Sequence, residues 1–184
     1  MIGTLLQDLR RKAEWYGMAP TPKALLRMCL SDGTSSQVIY RAMQFCQQTG
    51  LKAAAAALNR LNFHVGHAVI GRGADIGPGF VILHSSGVCI NTSVRAGENL
   101  VIEHNVTIGA EQDAVPVIGD NVYIGAGSTI VGGVRIGNNV KIAANSLVMK
   151  DIPDGATAIG VPAQVVRIDK ARVGPQTAKD SLPN

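Results

Sequence analysis

Along the first sixty residues the apolar positions recur at helical spacing. Leu5, Leu6, Leu9 and Ala13 share one face, with Asp8, Arg10, Arg11 and Lys12 largely off it, which predicts an amphipathic helix. Gly17 and Pro20-Thr21-Pro22 break that helix. A second helix is predicted over 23–30, ended by Ser31-Asp32-Gly33. A third is predicted over 38–48, with Thr34, Ser35 or Ser36 as its cap. Gly50 stops the third, and Leu51, Ala55, Leu58 and Leu61 line one side of a fourth over 51–61. Such a segment is expected to serve packing or oligomerisation rather than catalysis.

From Ala68 the period changes to six. An aliphatic residue, often followed by Gly, returns at Ile70, Ile76 and Ile82 in one phase. Ala96, Ile102 and Ile108 hold a second phase, and Ile118, Ile124, Ile130, Ile136, Ile142 and Val148 a third. A fixed short period is the signature of a stacked solenoid. Each hexad supplies a short strand and a turn, so three hexads make a triangular coil with the aliphatic residue inward. Gly, Asn or Asp takes the corner, where open backbone angles are needed. The two phase slips cannot be absorbed by a straight wall, so the extra residues loop out. The first slip falls at His84-Ser85-Ser86-Gly87 and the second over 110–117. The expected division is a helical region over 1–62, a β-solenoid over 63–168 and a flexible tail over 169–184.

Composition narrows the picture. The chain of 184 residues has 4% aromatic residues and 21 glycines, which suits a core of small aliphatic side chains with tight corners. A net charge of +4 with no long basic run favours an anionic small ligand over nucleic acid. Cys29, Cys46 and Cys89 are an odd, scattered set and read as reduced thiols. No signal-peptide layout opens the chain, and no apolar run approaches the ~20 residues that span a bilayer. The expectation is a cytoplasmic protein.

The hexads, the Leu83-His84-Ser85-Ser86-Gly87 segment and the closing Gly160-Val161-Pro162-Ala163 resemble the left-handed parallel β-helix acyltransferases. Within them the likeness is to the serine O-acetyltransferase branch and to the exopolysaccharide O-acetyltransferases that share it. The resemblance implies transfer of an acetyl group from acetyl-CoA to a hydroxyl, with no metal. It also implies a homotrimer, or a hexamer of paired trimers, with active sites between subunits. His84 falls at the position of the family's catalytic histidine. Histidine suits the task because its pKa lies near neutrality, so it can take a hydroxyl proton and return it to the leaving thiolate. Backbone N–H groups of the corner, or a donor from the next subunit, would hold the oxyanion. For CoA the resemblance implies a groove at Gly109 and Ala110 and along Ala126 and Ala144, which lie 18 residues apart, one coil. Lys141 and Lys150 would meet the nucleotide phosphates.

The departures from the family shape the acceptor expectation. The family carries a carboxylate 15 residues before the histidine, where this chain has Val69, and another immediately before it, where this chain has Leu83. Asp75 is predicted to lie on another wall. The family's Arg-His pair in the second loop is replaced by Ala114 and Val115 ahead of Pro116. A neutral loop has no evident grip on an amino-acid carboxylate, so a saccharide or other small hydroxyl compound is expected ahead of free serine. A true serine O-acetyltransferase and a catalytically silent scaffold are the alternatives. Once the two-residue slip is removed, His104 lies one coil after His84. It is expected to stack near it, sharing a proton network or orienting the acceptor. His64-x-x-His67 is too closely spaced for a hexad-repeat zinc enzyme. The terminal Ser181-Leu182-Pro183-Asn184 lacks the family's terminal Ile, so no sulfhydrylase complex is expected.

Overall fold

Four helices open the chain: α1 (Ile2–Trp15), α2 (Pro22–Cys29), α3 (Thr34–Gln48) and α4 (Lys52–Leu61). The computed structural model describes residues 1–169, so the expectations for the tail and its last residues lie, from Lys170 on, outside the described residues. Thr21 caps α2 by accepting from the Ala24 N–H at 3.3 Å, with Pro22 in the first turn. The cap of α3 differs from expectation. It is Gly33, left-handed at φ 76°, and no side chain caps the helix. The Thr34 hydroxyl is engaged elsewhere, donating to the Met28 carbonyl at 2.7 Å. A π-helical turn (Asn62–Gly66) leads from α4 into the solenoid.

The strands are β1 (Ala68–Ile70), β2 (Asp75–Ile76), β3 (Val81–Ile82), β4 (Val88–Ile90), β5 (Arg95–Ala96), β6 (Val101–Ile102), β7 (Thr107–Gly109) and β8 (Val117–Ile118). They continue with β9 (Tyr123–Ile124), β10 (Thr129–Val131), β11 (Arg135–Ile136), β12 (Lys141–Ile142), β13 (Leu147–Val148), β14 (Ala156–Ile159) and β15 (Gln164–Ile168). Every third strand stacks, giving three walls. The first wall has the order β1-β4-β7-β10-β13, the second β11-β8-β5-β2 and the third β15-β14-β12-β9-β6-β3. All pairings are parallel except β14 with the closing β15.

The three hexad phases all join one core; Ala96 alone is half-buried. A second inward residue sits two positions earlier in many hexads: Ala74, Phe80, Leu100, Val122 and Val140 are as buried as the isoleucines they precede. The corners are left-handed at Asn99, Asn105, Asn121, Asn139 and Asn145, as the turn chemistry requires. Asn99 and Asn121 also bond each other at 3.0 Å.

A solenoid leaves unpaired backbone groups on its first coil. Here α3 and α1 satisfy them with side chains. Gln37 donates to the Phe80 carbonyl at 2.8 Å and accepts from the Ile82 N–H at 3.1 Å. The Tyr40 hydroxyl donates to the Ala74 carbonyl and accepts from the Ile76 N–H. Arg41 donates to the Ile76 and Gly77 carbonyls, both at 2.7 Å, and makes a two-pronged pair with Asp8 at 2.7 and 3.0 Å. Asp8 in turn accepts from the Phe80 N–H. The helical region therefore closes one end of the solenoid.

Candidate active site

The corner between the third and first walls follows β3, β6, β9 and β12. His84 leads the first of these corners and His104 the second. The register of β3 on β6 (Ile82 beside Ile102) sets them one above the other. Their rings meet edge to face, centroids 6.0 Å apart at 74°. Both imidazoles are about half exposed. The two extra residues of the first phase slip lie directly after His84. They make this corner two residues longer than the one at His104, since Ile82 pairs with Ile102 and Ile90 with Ile108.

Asp32 is the residue that the sequence reading missed. It comes from the turn between α2 and α3, 52 residues before His84, and its Oδ2 lies 3.3 Å from His84 Nδ1. Gly33 makes this approach possible. Its Cβ, were there one, would sit on the Ile82 carbonyl oxygen, so only glycine lets the turn lie flat on β3. The helical region thus contributes to the candidate site, beyond the packing role expected for it. Ser31-Asp32-Gly33 was legible as a turn. Nothing in a six-residue period ties that turn to a corner of the coil. The two positions that departed from the family are otherwise occupied. Val69 lies on β1, paired with Cys89 in the first wall, and Leu83 is buried among Trp15, Val81 and Val101. Asp75 lies on β2 in the second wall, away from the His84 corner, and takes a bond from Gln44 at 3.2 Å.

A second carboxylate comes from the corner itself. Glu103 precedes His104, 3.9 Å from its Nδ1, and accepts from the Tyr123 hydroxyl at 3.5 Å. Trp15 of α1 stacks on Tyr123, ring centroids 5.2 Å apart. Burial, aided by the Glu103 charge, pushes the Tyr123 phenol up to about 12, so it stays a proton donor at neutral pH. The Tyr16 phenol is raised by burial and then by Glu103 and Asp32, so unlike Tyr123 it feels both carboxylates. One side of the histidine corner is therefore acidic.

The remaining candidates divide between two corners. Ala126 and Ala144 continue the His84–His104 column: Tyr123 pairs with Lys141, and the Asn145 N–H donates to the Ala126 carbonyl at 2.8 Å. Their small side chains leave that column open below the histidines. Gly109 ends β7, and Ala110 starts the second insertion, which lies on the corner between the first and second walls. That insertion is a tight turn in which Glu111 and Ala114 exchange backbone bonds at 2.9 and 3.0 Å around left-handed Gln112. Lys150 is exposed on the same corner, whereas Lys141 is half-buried on the outer face of the third wall between Tyr123 and Thr157. One chain by itself does not bring the two phase slips together. His64 and His67 line a cavity of about 370 Å³ with Phe63, Val69 and Cys89. Among the described residues no three His, Cys, Asp or Glu side chains are placed to hold a metal ion, and no helix is long and apolar enough to cross a membrane.

Residues 116–150 match the family model for the bacterial transferase hexapeptide (six repeats). The chain is 36% identical over 135 residues to a serine acetyltransferase of Staphylococcus aureus, covering 71% of this chain and 63% of that protein. It is 32% identical over 147 residues to a serine acetyltransferase of Helicobacter pylori, covering 78% of this chain and 86% of that one. A serine acetyltransferase solved in complex with CoA superposes with a TM-score of 0.80 at 27% identity, covering 90% of this chain and 69% of that one. The likeness makes the solenoid a left-handed β-helix. The chain spans just under two thirds of the Staphylococcus aureus protein's length.

Proposed function

This chain belongs to the serine acetyltransferase branch of the hexapeptide-repeat transferases, and from that membership we propose that it transfers an acetyl group from acetyl-CoA to a hydroxyl, with L-serine as the acceptor. The observation that carries the reading is the His84 corner. A carboxylate engages Nδ1 of the half-exposed ring, and the column continues past His104 to the small Ala126 and Ala144. In the reaction the acceptor oxygen attacks the thioester carbonyl while Nε2 takes its proton. The imidazolium so formed is stabilised by Asp32 at Nδ1. Collapse of the tetrahedral adduct expels the CoA thiolate, and Nε2 returns the proton to sulfur. Corner N–H groups bear the oxyanion charge. His104 lies within reach to orient the acceptor, and the acidic side formed by Asp32 and Glu103 suits the serine ammonium.

CoA would lie along Ala126 and Ala144. Because the two insertions occupy different corners of one chain, a groove that uses Gly109, Ala110 and Lys150 with the histidines needs a neighbouring subunit. This supports a homotrimer with its sites between subunits. The Glu111–Ala114 turn, which carries Glu111 and Asp113 but no cation to hold a carboxylate, favours a second reading, in which the acceptor is a saccharide hydroxyl rather than an amino acid.

The deciding experiment measures CoA thiol release with L-serine and with a panel of saccharides at equal acetyl-CoA. Turnover with L-serine supports the first reading; turnover with saccharides only supports the second. If calorimetry finds no acetyl-CoA binding, both fail and the silent-scaffold alternative stands.

Asp32→Asn tests the dyad. The pair is exposed, so its electrostatic worth is modest. We expect kcat to fall about tenfold, the equivalent of ~1.4 kcal/mol, with little change in the KM for acetyl-CoA. An unchanged kcat would remove Asp32 from the mechanism.

A further inference from the structure

Lys12 is fully buried, yet it carries an ammonium. Burying a charge this way costs more than burying a methionine of similar shape would. Its three N–H donors meet three acceptors: the Asp32 carbonyl, the Thr34 hydroxyl at 2.9 Å and the Ile82 carbonyl at 2.9 Å. Asp32 supplies the carboxylate at His84, and Ile82 lies two residues before His84 on β3. One side chain of α1 thus ties together the two segments whose separation sets the Asp32–His84 contact.

We propose that Lys12 is a positioning residue for the proposed acetyl transfer, a buried ammonium that pins the Asp32 turn to the end of β3 and so fixes the hydrogen bond at His84 Nδ1. The inference rests on the reading of His84 as the base.

Burial makes Lys12 sensitive to pH, opposed by the charged groups around it. Asp32, from the α2–α3 turn, is the carboxylate that acts on it, with His84 beyond that carboxylate on the solenoid corner. Asp8, one turn earlier on α1, is neutralised by Arg41 of α3. Tyr16, one turn later, shares Asp32 with it and faces Glu103 of the second corner. Burial outweighs the attraction of Asp32 and brings the Lys12 ammonium down to about 8. The charge is therefore present at neutral pH and lost as pH rises through that range. The neutral amine has two N–H groups for three acceptors, so one tether is released.

The test compares the wild type with Lys12→Met and Lys12→Arg by ¹⁵N NMR of the histidine rings and by pH–rate profiles. In the wild type at pH 7 the His84 tautomer carrying hydrogen on Nδ1 is expected to dominate, and its excess, and kcat with it, to decline as pH passes about 8. In Lys12→Met the tautomers are mixed at all pH values, and kcat falls about tenfold with the KM for acetyl-CoA unchanged. Lys12→Arg, whose charge persists at high pH, keeps the tautomer and loses the alkaline fall in kcat. A folded Lys12→Met with the wild-type tautomer ratio and pH profile overturns the proposal. If the variants do not fold, a wild-type tautomer ratio that is flat from pH 7 to 9 overturns it as well. The NMR outcome needs no turnover. A tautomer effect without acetyl transfer to any acceptor would sink the activity reading and leave the positioning role standing.

Discussion

His84→Ala is expected to lower kcat by about 10²–10⁴, the usual contribution of a general base in place, while acetyl-CoA still binds with wild-type affinity. The ring is half exposed at a corner and contributes nothing to the core, so the fold has no reason to respond. The loss should appear equally in kcat and kcat/KM, because the proton moves only in the transition state. His104→Ala separates the two rings. It touches His84 edge to face without sharing the Asp32 contact, so its removal should act mainly on the KM for the acceptor. A kcat for His84→Ala within a factor of a few of wild type would sink the mechanism, whatever the acceptor. If His104→Ala proves the larger loss, the two roles exchange.

Arg41→Met is expected to cost about 3–5 kcal/mol of stability, the penalty for leaving a buried charge without its partner. Arg41 is 2% exposed and Asp8 is fully buried. The substitution strips Asp8 of its cation and leaves the Ile76 and Gly77 carbonyls without their donor at the solenoid's end. For a chain of this size the melting temperature should fall by about 6–20 °C. Asp8→Leu with Arg41→Met should recover part of the loss, since the uncompensated carboxylate is gone. The two carbonyls stay unpaired, so recovery is incomplete. Thermal melts of both singles and the double close the cycle. Additive losses would mean that the pair acts as two independent contacts and that the cap is not organised around it. Because Asp8 also holds the Phe80 N–H next to β3, the melt should be accompanied by reduced acetyl transfer below the transition.

The acceptor is where sequence and comparison pull in different directions. Ala114 and Val115 argue against a grip on a carboxylate, whereas the relatives are serine acetyltransferases. The acidic side built by Asp32 and Glu103 adds a group the sequence did not suggest, one that would hold an ammonium. Glu103 stood directly before His104 and could have been noticed. Its link to Tyr123 arises from strands stacked one coil apart.

What the sequence determined by itself was everything written in a period. Isoleucine every six residues dictates an inward column, asparagine and glycine at the breaks dictate left-handed corners, and the slips dictate loops. The nearness of His104 to His84 followed from counting along the coil, because a stacked repeat converts sequence distance directly into height. What only the tertiary structure decided was how an aperiodic helical segment meets that coil. The Asp32–His84 contact, the Lys12–Ile82 tether and the Asp8–Arg41 pair each join residues more than 30 positions apart, and Lys12, Arg41 and Asp8 meet the Ile82, Ile76, Gly77 and Phe80 backbone groups that the first coil leaves unpaired. Those groups must be satisfied somewhere, yet no local pattern says by which side chains. The carboxylate at the histidine therefore came from the cap rather than from the repeat.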